Sequence, residues 1–392
     1  MADTFSNEPR QLLKPDAYRS EEWLKTEREL LFSKTWSFAC MEFDIPEPGD
    51  FIALKVGNYP LFVLRDNDGD LRAFHNICRH RGTEVLEGRG NAGKTIVCPY
   101  HRWTYMLDGR LRGLPNADHF SNLDKPSLGL KPAATGTFKE MVFINPSPAP
   151  ELTFEDWLSP LQGAEWPHNI SAADLQGGEE FVYRMKCNWK VFYENAIDGY
   201  HLAYLHENTL GGPLPDKNAW DIHGLNLVWY STERDEIRNR VPQFVEKQVE
   251  SMGGAKVIPG AETPGYGGVY MLFPTTIVTP SKWSLTISTL EPVKPDETIL
   301  RAKTWVPKSW FDMEGGPKSA PGYSKDTGEI TSDNWVKHPL ETGDFQTEDI
   351  WVCEKMQRSL NSPVYEVGPL AAGSGSEAPI EVFQKQVLEF VR

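Results

Sequence analysis

The stretch "HNICRHRGTE", residues 75–84, sets Cys78 and His80 one residue apart between Arg79 and Arg81. A thiol and an imidazole this close suggest half of a metal site. A second half follows. "CPYHRWTYMLDGRL" starts at Cys98, with 17 residues between it and His80, and repeats the Cys-then-His order with His101. Each pair follows a strand-like run, "LRAFH" and "TIVC", so each is expected on a loop. Structural zinc sites favour two to four residues between the ligands of each half, and Cys78-Arg79-His80 has only one. A binuclear iron–sulfur cluster with two Cys on one iron and two His on the other fits better. Each loop then gives one ligand to each iron, which explains the repeated order.

The surrounding chain is that of an ordinary globular protein. It has 392 residues, 40% hydrophobic and 24% charged, and that length predicts two domains. A net charge of −15 argues against a nucleic-acid partner, which would need a basic footprint. Met1 to Gln11 carries no signal-peptide core, and no apolar run reaches the length of a membrane span, so a cytoplasmic protein is expected. The five cysteines, Cys40, Cys78, Cys98, Cys187 and Cys353, are odd in number and scattered, which speaks against a disulfide framework. Cys40, Cys187 and Cys353 read as buried or free thiols.

Residues 20–32, "SEEWLKTERELLF", read as a helix that Ser20 can cap. From Ile45 short β-like runs take over: "FIALKV", "LFVLRD", "LRAFH", "TIVC", "WTYML" and "RLRG". "DNDGD" (66–70) and "LDGR" (107–110) carry hairpin chemistry. The expected organisation is an N-terminal helical segment, 1–44, an all-β module, 45–150, closed by the Pro-rich "NPSPAP", and a mixed domain, 151–392. In the last, strand-like runs between about 268 and 307 precede a polar loop, a helical run near 347–359, the spacer "AAGSGSEAP", and a final amphipathic helix at 380–391.

That mixed domain holds a second metal motif. "NWKVFYENAIDGYHLAYLHENT", residues 188–209, reads as a helix carrying Asp198-x-x-His201-x-x-x-x-His206. On a regular helix the two His would point about 140° apart. They converge only if the helix widens or kinks, so a π-bulge or kink is expected between them. Asp198 falls between them, either as a third ligand or just outside. Two His and a carboxylate would make the facial triad of non-haem iron(II), with positions left open for dioxygen.

"CRHRG" with "CPYHRWTYMLDGRL" resembles the two cluster loops of the Rieske [2Fe–2S] domain. "NAIDGYHLAYLHENT" resembles the catalytic helix of Rieske non-haem iron oxygenases, the terminal alpha components of multicomponent ring-hydroxylating and demethylating systems. The resemblance spans nearly the whole chain. It implies an α+β protein: an all-β Rieske domain, and a catalytic domain of antiparallel sheet and flanking helices with a helix-grip, START-like arrangement. It implies that Cys78 and Cys98 hold one cluster iron, His80 and His101 the other, and that His201 and His206 bind the mononuclear Fe(II). Asp198 would then bridge, through hydrogen bonds, an iron histidine and a cluster histidine of a neighbouring subunit. That implies a homotrimer, with or without a small beta subunit. The third ligand is expected in "ETGDFQTEDIWVCEKMQRSL". Asp349 is chosen over Asp344 and Glu348. Asn195 resembles an asparagine near the iron in the family.

No Gly-rich nucleotide motif is present, so electrons are expected from a separate NAD(P)H-dependent reductase, with or without a ferredoxin. Between Arg72 and Arg112 eight basic residues face three acidic ones. That surface could steer an acidic donor or pair with carboxylates of a neighbouring subunit. The substrate, oxidised with O2, is less legible. Tyr204, Trp220, Trp229, Tyr270, Phe273 and Trp283 could wall a pocket or simply form core. "GPLAAG" and the helix after it resemble branches that include quaternary-ammonium demethylases. In those branches the position of Asp198 is often Glu, so the expectation is a small aromatic substrate, with oxidative N- or O-demethylation as the alternative. A Rieske electron carrier without oxygenase activity is the rival of another class.

Overall fold

The structure is a computed structural model. It describes residues 5–164, 175–209, 220–230, 268–280, 284–307, 329–335, 337–372 and 377–392. The chain forms two compact units: residues 28–158, and residues 1–27 together with 159–392.

The N-terminal segment opens with two short helices, α1 (Asp16–Arg19) and α2 (Glu21–Thr26). Ser20 caps α2, its side chain accepting from the Trp23 N–H at 3.3 Å. The expected single helix over 20–32 instead changes to a π turn at Glu27–Leu31.

The smaller unit is built from β1 (Ser37–Met41), β2 (Asp50–Val56), β3 (Tyr59–Arg65), β4 (Leu71–His75), β5 (Arg89–Asn91), β6 (Thr95–Val97), β7 (Thr104–Met106), β8 (Leu111–Gly113), β9 (Pro132–Phe138) and β10 (Met141–Asn145). Seven strands form one sheet in the order β1-β10-β9-β4-β3-β2-β5, and β6-β7-β8 form a second. Both expected hairpins are present. At the β3–β4 turn, Asp66 Oδ1 accepts the N–H groups of Asp68 and Asp70 at 2.9 and 3.0 Å. At the β7–β8 turn, Gly109 has φ +85°, and a Cβ there would lie 2.3 Å from the Phe74 ring. Conformation and space both demand glycine. Between the sheets lies a core of Phe51, Phe62, Leu64, Phe74, Trp103 and Tyr105 that also contains Cys78 and Cys98. The two loops are therefore anchored by the same burial that holds the sheets together.

The expected divisions at 44/45 and 150/151 and the compact divisions at 27/28 and 158/159 differ for identifiable reasons. β1 joins the sheet of the smaller unit by antiparallel pairing with β10. After the Pro-rich run the chain turns back rather than leaving: in α3 (Phe154–Leu158), Phe154 and Trp157 pack on Phe143 with ring centroids 5.8 and 5.1 Å away.

In the larger unit the described strands are β11 (Leu175–Met185), β12 (Trp220–His223), β13 (Asn226–Tyr230), β14 (Gly268–Leu272), β15 (Thr276–Pro280), β16 (Leu285–Lys294), β17 (Glu297–Pro307) and β18 (Ile330–Thr331). They form one sheet in the order β12-β13-β14-β15-β16-β17-β11-β18, antiparallel except for the parallel β11–β18 pair. Its helices are α4 (Trp189–Ile197), α5 (Leu202–Leu205), α6 (Phe345–Leu360) and α7 (Ala378–Val391). Phe383 of α7 is fully buried. It stacks on Tyr193 of α4 (4.1 Å between ring centroids) and packs edge-on to Phe273 beside the sheet (6.2 Å). This aromatic column fixes α4 against the sheet, and truncating Phe383 to Ala would cost on the order of 3–5 kcal/mol. Tyr270 and Phe273 are fully buried and Trp220 is 8% exposed, whereas Tyr204 is mostly exposed. Trp283 and the expected polar loop lie outside the described residues.

Candidate metal centres

The two Cys–His loops share one backbone design despite their different spacing. The Cys78 N–H donates to Thr83 O and the Gly82 N–H to Cys78 O, at 2.8 and 3.0 Å. The Cys98 N–H donates to Trp103 O and the Arg102 N–H to Cys98 O, at 2.9 and 3.1 Å. The fifth residue of each loop is left-handed, Gly82 at φ +81° and Arg102 at φ +60°. A non-glycine residue there stores roughly 1 kcal/mol of strain.

These loops bring His80 Nδ1 to 3.1 Å from His101 Nδ1. Two ring nitrogens facing each other at that distance suit two ligands of one metal, since Fe- or Zn-like N bonds of about 2.1 Å at right angles put donors ~3 Å apart. The His80 ring stacks flat on Trp103, 5.0 Å between centroids and 5° between planes. Tyr105 Oη accepts the Arg79 N–H at 2.9 Å, which leaves its own O–H for Cys78 Sγ at 3.3 Å. Burial raises the Cys78 thiol pKa, more than the Tyr105 hydrogen bond lowers it. Burial, then the neighbouring His101 and Arg81, lower that of His80. A neutral imidazole at His80 and a Cys78 thiol whose ionisation a neighbouring cation would favour suit an iron–sulfur group.

In the larger unit the expected helix over 188–209 is broken. α4 stops at Ile197, and Asp198 at its C-cap accepts the Tyr200 N–H on Oδ1 at 2.6 Å. The chain restarts as the single turn α5, with His201 just before it and His206 just after. The π-bulge or kink expected between the histidines is thus replaced by a break ahead of His201. His206 leaves helical geometry (φ −99°, ψ 21°) and swings back toward His201. The "DG" at 198–199 was the available signal, as a breaker pair within a helical pattern.

The result is convergence. His201 Nε2 and His206 Nε2 are 3.2 Å apart, and Asp349 Oδ1 lies 3.0 Å from His206 Nε2 and 3.5 Å from His201 Nε2. The three form a group able to hold a metal ion. Asp349 follows directly on the first turn of α6, and Asp344 is the N-cap of that helix, accepting from Gln346 N and Thr347 Oγ1. Glu348 contacts the far side of the His206 ring, its Oε2 2.6 Å from Nδ1. Of the three acids weighed from sequence, only Asp349 reaches both Nε2 atoms among the described contacts. The Asn195 side chain donates to Asp349 Oδ1 at 2.9 Å. Asp198 Oδ2 is 3.2 Å from His201 Nδ1, a charge contact poorly aligned for a hydrogen bond.

Three carboxylates thus surround two imidazoles in a largely buried site. Burial opposes a charge on His201, but Asp198 and Asp349 outweigh it and raise its pKa to about 10. Burial raises that of Asp349, yet the two histidines overcome this and lower it to about 2. Such a site calls for a cation, and two nitrogens plus one carboxylate oxygen on one face suit non-haem iron(II). Sequence reasoning missed two supporting groups, Tyr105 at Cys78 and Thr209 at Glu348.

Residues 35–127 match the Rieske [2Fe-2S] domain, and residues 172–392 match the ring hydroxylating alpha subunit (catalytic domain). The chain belongs to the ring-hydroxylating alpha-subunit family of Rieske oxygenases. It therefore uses a Rieske [2Fe–2S] cluster and a mononuclear iron, and it is a terminal oxygenase component that needs an external source of electrons. The fold is the expected α+β pairing of a Rieske domain of strands with a catalytic domain of curled antiparallel sheet and helices. The glycine betaine monooxygenase oxygenase subunit of Pseudomonas aeruginosa is 26% identical over 381 residues, which span 90% of this chain and 83% of that protein. The anthranilate 1,2-dioxygenase large subunit of Acinetobacter baylyi is 32% identical over 199 residues, 49% of this chain and 42% of that protein. Among solved structures, a quaternary ammonium Rieske monooxygenase in complex with an inhibitor superposes with TM-score 0.75 at 25% identity, covering 99% of this Rieske oxygenase and 97% of that chain. No helix among the described residues is long and apolar enough to cross a membrane.

Proposed function

We propose that this Rieske oxygenase oxidises a small quaternary ammonium compound at a carbon bonded to nitrogen. The observation that carries the oxygenase site is the convergence of His201 Nε2, His206 Nε2 and Asp349 Oδ1 within 4.8 Å of one another. The substrate class is supported by relatives of that class that align with nine-tenths of the chain or more. The balanced step consumes the substrate C–H, O2, two electrons and two protons, and yields the C–OH product and water. A hydroxyl beside a quaternary nitrogen then collapses to an aldehyde and a tertiary amine.

In this reading Cys78 and Cys98 hold one cluster iron, and His80 and His101 the other. His201, His206 and Asp349 hold the mononuclear iron. When bound, the two groups supply electrons and dioxygen chemistry. The chain's own residues do the rest. Asn195 holds the Asp349 carboxylate, Asp198 connects His201 to the cluster histidine of a neighbouring copy in a homotrimer, and a separate NAD(P)H-dependent reductase loads the cluster. Residues 28–158 form the cluster domain, and the cytoplasm is the compartment.

A second reading, hydroxylation of an aromatic acid, is favoured by the partial match to a dioxygenase large subunit. Oxygen uptake with a surrogate reductase separates the two. The proposal expects a quaternary ammonium compound to raise uptake above the substrate-free rate with stoichiometric aldehyde. Stimulation by aromatic acids alone, with ring-hydroxylated product, would replace it by the second reading.

A further inference from the structure

Glu348 ends the first turn of α6 and Asp349 follows it, yet their carboxylates meet opposite sides of one ring. Asp349 Oδ1 faces His206 Nε2 at 3.0 Å, and Glu348 Oε2 faces His206 Nδ1 at 2.6 Å. The same Glu348 oxygen accepts the Thr209 hydroxyl at 2.8 Å. The side chains of Glu348 and His206 are each 1% exposed, so water does not compete.

We propose that Glu348 is a positioning residue for the mononuclear iron. Its carboxylate has only acceptors to offer Nδ1, so that nitrogen must carry the proton. The lone pair is thereby fixed on Nε2, which points into the group formed with His201 and Asp349. Negative charge against the N–H also makes the ring a stronger donor, and Thr209 holds the carboxylate in place. His201 lacks an equal device. Its Nδ1 is 3.2 Å from Asp198 Oδ2 and poorly aligned, and both side chains are 16% exposed. The two histidines are therefore unequal: His206 is the locked ligand and His201 the adjustable one.

This inference rests on His206 binding the iron, so the test carries a control for that reading. Fe(II) affinity is measured by chelator competition on the native protein, Glu348→Gln, Glu348→Ala and His206→Ala, and the EPR spectrum of each ferrous–nitrosyl form is recorded. Glu348→Gln is nearly isosteric and decides the matter if Glu348→Ala does not fold. The proposal expects affinity to fall about 10–100-fold in the Glu348 variants, with a changed nitrosyl spectrum and an unchanged cluster absorption. Native affinity and a native spectrum in Glu348→Gln, with iron lost in His206→Ala, would overturn the proposal alone. Native affinity in His206→Ala would overturn the reading of the site itself, and the role of Glu348 with it.

Discussion

Asn195 grips Asp349 by the oxygen that faces the histidines: Asn195 Nδ2 donates to Asp349 Oδ1 at 2.9 Å. One lone pair of that oxygen is thus engaged and the other is left toward the two ring nitrogens. Asn195 lies in α4 and Asp349 in α6, so the bond also ties together the two elements that bring the site into being. Asn195→Ala should lower Fe(II) affinity about 10-fold and leave the cluster spectrum untouched. Chelator competition reads this directly, and an unchanged affinity would remove the role.

Asp198 has two tasks that one substitution separates. Its Oδ1 holds the break ahead of His201 by accepting the Tyr200 N–H, and its Oδ2 lies against His201. Asp198→Asn keeps an acceptor for Tyr200 but loses the charge. Iron content should stay at native level, while transfer from the reduced cluster to the iron slows by about 100-fold. Stopped-flow absorption of the cluster follows that step. Native turnover in the variant would show that no bridge runs through Asp198.

Lys190 and Glu27 form an ion pair in which both side chains are 0% exposed, with the Trp189 indole N–H on the second carboxylate oxygen at 2.9 Å. Removing one partner strands a buried charge. Lys190→Met should lower stability by about 3–5 kcal/mol, and adding Glu27→Gln should restore most of it. Urea midpoints followed by tryptophan fluorescence give both values. A loss below about 1 kcal/mol in the single variant would contradict this account of the pair.

Glu194 is buried and accepts from Tyr18 Oη and Gln384 Nε2 at 2.7 and 2.9 Å. Burial raises its pKa to about 7, against the lowering by those bonds and by Lys190. The folded value lies above the unfolded one of 4.5, so the folded protein binds the extra proton between them. Stability is therefore full below the unfolded value and falls as pH rises through about 7, by an amount on the order of 3 kcal/mol. Glu194→Gln should remove that part of the slope. Urea midpoints of both proteins on either side of this window test it, and parallel pH profiles would contradict it.

Legibility from sequence followed the reach of each cause. The pairing of the two Cys–His loops was legible because Cys78, His80, Cys98 and His101 repeat one residue order, and the hairpins at Asp66–Asp70 and at Gly109 were legible from turn chemistry alone. His201 and His206 were legible as residue types, but not the break that brings them together. That break depends on the Asp198 carboxylate and on where α4 is held by Phe383. β1 was missed because its strand character comes from pairing with β10, about a hundred residues away in the chain. Glu348 was weighed as a ligand because it adjoins Asp349. Helical rotation then places it on the opposite side of the His206 ring, which one-dimensional spacing does not show.

The central claim is that the cluster and the His201–His206–Asp349 site work as one oxygenase. The most direct measurement is reoxidation of the reduced, iron-loaded protein by O2, followed through the cluster absorption without reductase. The account predicts fast reoxidation and product formation when a quaternary ammonium substrate is present, slow reoxidation without it, and a cluster that stays reduced in Asp349→Ala whether or not substrate is added. Equal reoxidation in Asp349→Ala and the native protein, with substrate present, would contradict it.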